Sequence, residues 1–169
     1  MQLGYDRQPD NLAGSWDGDD NHFVPCVNGE DELPIGVFVA KDFAKGDRGI
    51  GPLGNASTHA DLAGVTAFVG YDPHGVSAPN VIPANSTVSV LDRGLIRVPC
   101  VGTVTPEDRV YVIRNPDTGQ VRGAIRATPD GARTIEIRRG AQVVRGATNG
   151  VALVKIDVLN MLPGIALDS

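Results

Sequence analysis

Lysine and the aromatics are scarce in this chain: its 169 residues include 3 Lys, 1 Trp, 3 Tyr and 4 Phe. A nucleic-acid site built on its arginines is therefore disfavoured, because such sites combine clustered cations with rings on which bases stack. Cysteine is scarce too. Cys26 and Cys100 match no metal or redox spacing, make no disulfide scaffold, and read as small buried apolar side chains. No stretch approaches the ~18 apolar residues of a membrane span, and the opening MQLGYDRQPD lacks the apolar run of a signal peptide. The expectation is a soluble protein made in a cytoplasm, in which the acceptor patterns at Asn55 and Asn85 stay unglycosylated.

Glycine and proline are abundant, at 21 and 12, which leaves room for many turns and excludes long helices. Apolar residues make up 41%, enough for one core and too short a chain for two domains. Charge is divided along the chain. Residues 1–92 hold 4 basic against 13 acidic side chains, whereas residues 93–145 hold 10 arginines against 5 acids. A chain so divided suits contact with copies of itself, or with a larger assembly carrying patches of both signs. Arg122, Arg126, Arg138 and Arg139 are the cationic interface candidates, since arginine is enriched where proteins meet.

The strongest pattern runs from Thr87 to Ile113, TVSVLDRGLIRVPCVGTVTPEDRVYVI. Val88 and Val90 alternate with polar residues, Asp92-Arg93-Gly94 reads as a turn, Leu95–Val98 as a second strand, and Arg109–Ile113 as a third. This predicts an antiparallel meander. Ile35–Ala40 reads as an earlier strand, with Gly36 marking a bulge or the close approach of another backbone. Residues 41–55 read as loop, Leu62–Tyr71 as a strand, and 72–84 as loop. Asn115–Gly119 and Thr128–Gly131 are turns, Thr134–Arg138 alternates cleanly, and Val151–Ile156 closes the domain. The fold class predicted is all-β, a compact antiparallel β-barrel or sandwich over residues 33–157. Residues 1–32 read as an extended polar arm, anchored on a partner or on its own domain by Trp16 and Phe23. Residues 158–169 read as an apolar tail, in which Met161 and Leu162 want a surface to cover.

Catalytic patterns are few. Gly49-Ile50-Gly51-Pro52-Leu53-Gly54 spells G-x-G-x-x-G, but a dinucleotide site needs a strand before it and a helix after it, and here a charged loop precedes and a proline interrupts. Asp17-Gly18-Asp19-Asp20-Asn21 opens like a calcium loop, then places His22 where glycine is needed and Asn28 where a bidentate glutamate is needed. His22, His59 and His74 have no second ligand at metal spacing, and Cys26 beside His22 lies in a polar loop unsuited to a nucleophile and base. We therefore expect no catalytic residue, metal or cofactor.

The order of the strand words is informative. Pro34–Val39, Leu62–Ala67, Val88–Val98, Pro106–Val112 and Gly146–Ala147 with Gly150–Ile156 together resemble the structural cement, or head decoration, proteins of tailed bacteriophages over about residues 33–157. Two details depart from that pattern: Glu107-Asp108 stands where the family carries Gly-Asp, and the closing Gly-Ala to Gly interval is short. The resemblance implies a non-enzymatic β-domain on the outer surface of the virion's capsid, made in the host cytoplasm. It implies the major capsid protein as partner, self-association with a trimer favoured over a dimer, and no contact with nucleic acid or membrane. A carbohydrate- or receptor-binding β-module of a virion is the alternative, and would place Tyr71 or Trp16 at the contact.

Overall fold

Short β-branched runs punctuated by glycine form strands throughout the computed structural model, which describes residues 13–67 and 81–163. The strands are β1 (Trp16–Asn28), β2 (Leu33–Pro34), β3 (Phe38–Lys41), β4 (Gly49–Gly51), β5 (Leu62–Thr66), β6 (Val81–Ile82), β7 (Thr87–Pro99), β8 (Thr103–Val104), β9 (Val110–Ile113), β10 (Ile125–Arg126), β11 (Thr134–Arg139), β12 (Ala141–Arg145), β13 (Ala147–Thr148), β14 (Val151–Asp157) and β15 (Leu162–Pro163). Only single turns of 3-10 helix join them among the described residues, so the fold is all-β.

The large sheet has the order β1-β4-β3-β5-β7-β14-β12, and β1 also pairs with β7. Hydrogen bonding therefore runs in a closed circuit through β1, β4, β3, β5 and β7, with β14 and β12 continuing outward from β7. A smaller sheet has the order β10-β9-β11-β15. Alternate side chains feed two cores, as the two-residue period of a strand requires. Val39, Ile50, Val88 and Val90 belong to one cluster, while Phe38, Ala40, Leu62, Leu91 and Ile96 join Val112, Ile125 and Ile137 of the smaller sheet in the other.

Five expectations need correction. Asp92-Arg93-Gly94 is not a turn: β7 runs unbroken from Thr87 to Pro99. The composition of a turn serves here to bend one strand between two neighbours, since β7 pairs with β5 at Val90 and Leu91 and with β14 from Arg93 onward. Gly94 takes φ +134°, and a Cβ there would meet Asn21 Oδ1. Residues 16–28, assigned to the arm, form a 13-residue strand of the large sheet; the arm and tail residues 1–12 and 164–169 lie outside the described residues. Polar side chains misled because β1 carries a bulge between Asp17 and Phe23, where acids face water. Asn21 closes that bulge: its Nδ2 donates to the Asp17 and Gly18 carbonyls, and its Oδ1 accepts from Leu95 N at 2.9 Å.

The strand expected at Ile35 starts at Phe38, and Gly36 instead turns the chain at φ +80° against the backbone of Ala13 and Gly14. The loop expected over 41–55 contains β4, which pairs parallel with β1 and antiparallel with β3. Gly49 permits this, because a Cβ there would meet the Asp42 carbonyl. Finally, the tail begins by docking on its own domain: Met161 is buried in the main core and β15 pairs with β11. The end of the strand expected over 62–71, and most of the loop after it, fall outside the described residues.

Arg97 ties the start of β1 in place. It is 3% exposed, donating from Nη1 to Ser15 Oγ at 3.2 Å and from Nη2 to Asp17 Oδ2 at 3.0 Å, while the Gly14 N–H donates to the Arg97 carbonyl. Truncating the cation strands buried polar neighbours, with Asp17 partly relieved by water. Arg97→Met should cost about 2 kcal/mol of stability, read from urea unfolding midpoints.

Candidate interaction surface

The arginines divide into those that fasten loops and those with no partner among the described residues. Arg122 is half-buried and donates from Nη1 to the Leu53 and Arg114 carbonyls and to Asn55 Oδ1. Arg126 meets Asp130 Oδ2 at 2.8 Å, and Arg133 pairs with Asp117. Arg114 donates to the Ala132 and Ser57 carbonyls. These side chains hold together the loops around β9 and β10. The structure thus spends Arg122 and Arg126 within the chain, and Arg122→Ala should lower stability by about 1–2 kcal/mol, measured by thermal unfolding.

Arg138 and Arg139 differ. They end β11, beyond the point where Ile135 and Ile137 turn into the core and Glu136 is matched by Arg109 at 2.9 Å. Both are exposed, and neither side chain has a hydrogen bond or ion pair among the described residues. Gly140 then reverses the chain at φ +88°, packed so tightly on the Asp157 carbonyl and Met161 that a Cβ would collide with both. This close packing aims the corner: β12 returns beside β14, with Gln142 opposite Lys155. Arg138, Arg139, Gln142 and Lys155 line one shallow hollow of about 390 Å³. Leu162 sits opposite Arg139 in the β11–β15 register. Of the interface candidates read from the sequence, the structure therefore gathers Arg138, Arg139 and Leu162 at one corner.

The corner is also a sheet edge. β12 is the last strand of the large sheet, its outer side has no hydrogen-bonded neighbour among the described strands, and Val144 and Arg145 are exposed on it. An unpaired edge offers N–H and C=O groups to an incoming extended segment. Surrounding arginines select against a cationic one.

The aromatic candidates are placed elsewhere. Trp16 and Phe23 are half-buried, pack on the main core, and meet edge-to-face with centroids 5.0 Å apart. Met161 is 7% exposed. Two apolar side chains that were not among the interface candidates, Phe43 and Leu159, are the most exposed large ones among the described residues. Phe43 stands alone in a polar stretch, and Leu159 opens the apolar tail; neither has the periodic neighbours that mark a core face.

No group of His, Cys, Asp and Glu among the described residues is arranged to hold a metal. The acids of the calcium-like stretch are part of β1, where Asp17 pairs with Arg97. Cys26 is buried, and that burial pushes its thiol up, with Arg48 opposing and Asp92 reinforcing the shift. His22 is engaged by Asp92 at 2.6 Å instead. A thiol held protonated is a poor nucleophile.

A family model described as "Structural cement protein (E217 gp24/Pam3 gp6)" matches residues 2–159. Among solved structures, a chain described as "The capsid of Myoviridae Phage XM1" is similar with a TM-score of 0.67 and 17% sequence identity, over 89% of this chain and 93% of that one. At that identity the likeness concerns the fold. A search of curated proteins finds no match.

Proposed function

The chain belongs to the structural cement protein family, and from that premise we propose that it binds the outer surface of the major capsid protein lattice and stabilises the expanded head. A structural, capsid-associated role in the phage particle is what family membership itself carries, and the match over residues 2–159 is the observation on which the reading rests. The finer assignment uses the corner of β11 and β12. Its exposed arginines, and an edge unpaired among the described strands, suit an extended, acidic segment of a coat subunit, paired through main-chain bonds and selected by charge. Each such contact is modest, but many copies on one shell act together. The glycan-binding alternative asks for an open aromatic platform, whereas Trp16 is packed against Phe23 and the core.

Co-sedimentation with expanded and unexpanded shells of the parent phage tests the proposal. The expected result is saturable binding to expanded shells at a lattice-defined stoichiometry. Binding to neither shell removes it.

A further inference from the structure

Two asparagines of the chain are followed by glycine, Asn28-Gly29 and Asn149-Gly150. Such a pair is open to attack by the glycine's main-chain nitrogen on the asparagine's side-chain amide carbon, since no Cβ bars the approach. The fold treats the two pairs oppositely. Asn28 ends β1 and is 0% exposed; its Nδ2 donates to the Asp31 and Pro83 carbonyls, and the Gly29 N–H donates to the Ile50 carbonyl at 3.1 Å. Leaving group and nucleophile are both engaged, and Oδ1, buried without a hydrogen-bond partner, has no donor to carry developing charge.

Asn149 lies exposed in the connection from β13 to β14, in the left-handed region at φ +45°. Its N–H donates to the Gly102 carbonyl at 2.9 Å, and its Oδ1 accepts from the Gly102 N–H at 2.7 Å, so the side-chain carbonyl is held and polarised. Neither Asn149 Nδ2 nor the Gly150 N–H has a hydrogen bond among the described residues. Nucleophile and leaving group are thus unengaged, solvent is at hand, and the Gly102 N–H is aimed at the oxygen on which negative charge builds in the tetrahedral intermediate.

We propose that Asn149 is a self-modifying site, converting to aspartate and isoaspartate through a cyclic imide in the folded protein. The Gly150 nitrogen bonds to Asn149 Cγ as it gives up its proton; the Cγ–Nδ2 bond breaks, and the amide nitrogen leaves with that proton as ammonia. Water then opens the imide. Cleavage of the new bond leaves an aspartate, and cleavage of the original peptide bond leaves an isoaspartate, whose extra main-chain carbon lengthens the connection between β13 and β14. Water is the sole co-reactant, and nothing is oxidised or reduced. The product carries an added negative charge beside the pairing of β8 with β13, where the Thr103 and Thr148 hydroxyls meet at 2.9 Å. The inference does not depend on the capsid reading.

Ageing the full chain in heavy-oxygen water at neutral pH, followed by peptide mapping with mass spectrometry, tests it. Asn149 should convert, each product taking up one solvent oxygen, while Asn28 stays an amide. Gly150→Ala is the decisive variant. Its Cβ would make only ordinary contacts, 3.6 Å from the Thr148 carbonyl oxygen and 3.8 Å from Ala147 Cβ, so the fold should hold, as thermal unfolding checks. Conversion should nevertheless slow about tenfold, because the nucleophile is crowded. An Asn149 that stays an amide in the native protein overturns the proposal. So does an Asn28 that converts alongside it, or a folded Gly150→Ala chain that converts as fast as the wild type.

Discussion

Gly64→Ala should remove a large share of the protein's stability. Gly64 lies inside β5 at φ +144°, a conformation closed to residues with a Cβ, and the added methyl would lie 2.3 Å from the Leu91 carbonyl oxygen and 2.7 Å from Val90 Cγ1. The obstruction is backbone at the point where β5 meets β7, at Val65 with Leu91, so no side chain can swing aside. Relief requires prising β5 from β7 and opening the closed circuit. Strain plus lost pairing should cost roughly 4 kcal/mol or more, a large share of a typical domain's 5–15. Gly119→Ala is the control: φ there is +83°, but open space surrounds it, and the expected cost is about 1 kcal/mol. Urea unfolding of both variants separates obstruction from backbone preference. Equal, small losses would show that β5 and β7 do not approach so closely.

Arg138→Glu with Arg139→Glu should lower affinity for expanded shells by about a hundredfold, through like-charge repulsion at the mouth of the β12 edge. Both side chains are exposed and have no hydrogen bond or ion pair among the described residues, so the melting temperature should hold within the scatter of neutral surface changes. Wild-type binding should weaken as salt rises, and the reversed variant should lose that dependence. Shell binding unchanged by the double reversal would move the capsid-facing surface away from this corner. Comparison with Arg122→Ala completes the test, because that change should alter stability while leaving the shell contact at the corner intact.

How much of this was legible beforehand depended on whether a residue's role was set locally. β9, β11 and β14 could be read directly: β11 alternates with the period of a strand, while β9 and β14 are short β-branched apolar runs bounded by turn residues. β4 could not: Gly-Ile-Gly has no pattern of its own and is a strand only because β1 and β3 flank it. β1 hid behind the acids of its bulge. Asp92-Arg93-Gly94 carries the composition of a turn, and only the partners on either side decide that it is a bend. The site followed the same rule. Arg122 and Arg138 look alike in sequence, but the partner that internalises Arg122 is the Leu53 carbonyl, 69 residues away. Phe43 and Leu159 border one hollow only through the fold.

The pairing of β1 with β7 also has a kinetic meaning. Asn21 and Leu95 are 74 residues apart, so β1, whose short parallel pairing with β4 covers only its last residues, lacks its long antiparallel partner until nearly a hundred residues have been made. Closing so long a loop costs entropy before any ladder bond repays it, and topologies of this kind fold slowly. During synthesis β1, with its half-buried Trp16 and Phe23, waits uncovered for β7 to leave the ribosome. The acids at its bulge then serve a second purpose, as charges that keep a waiting strand from pairing with its neighbours on the same messenger.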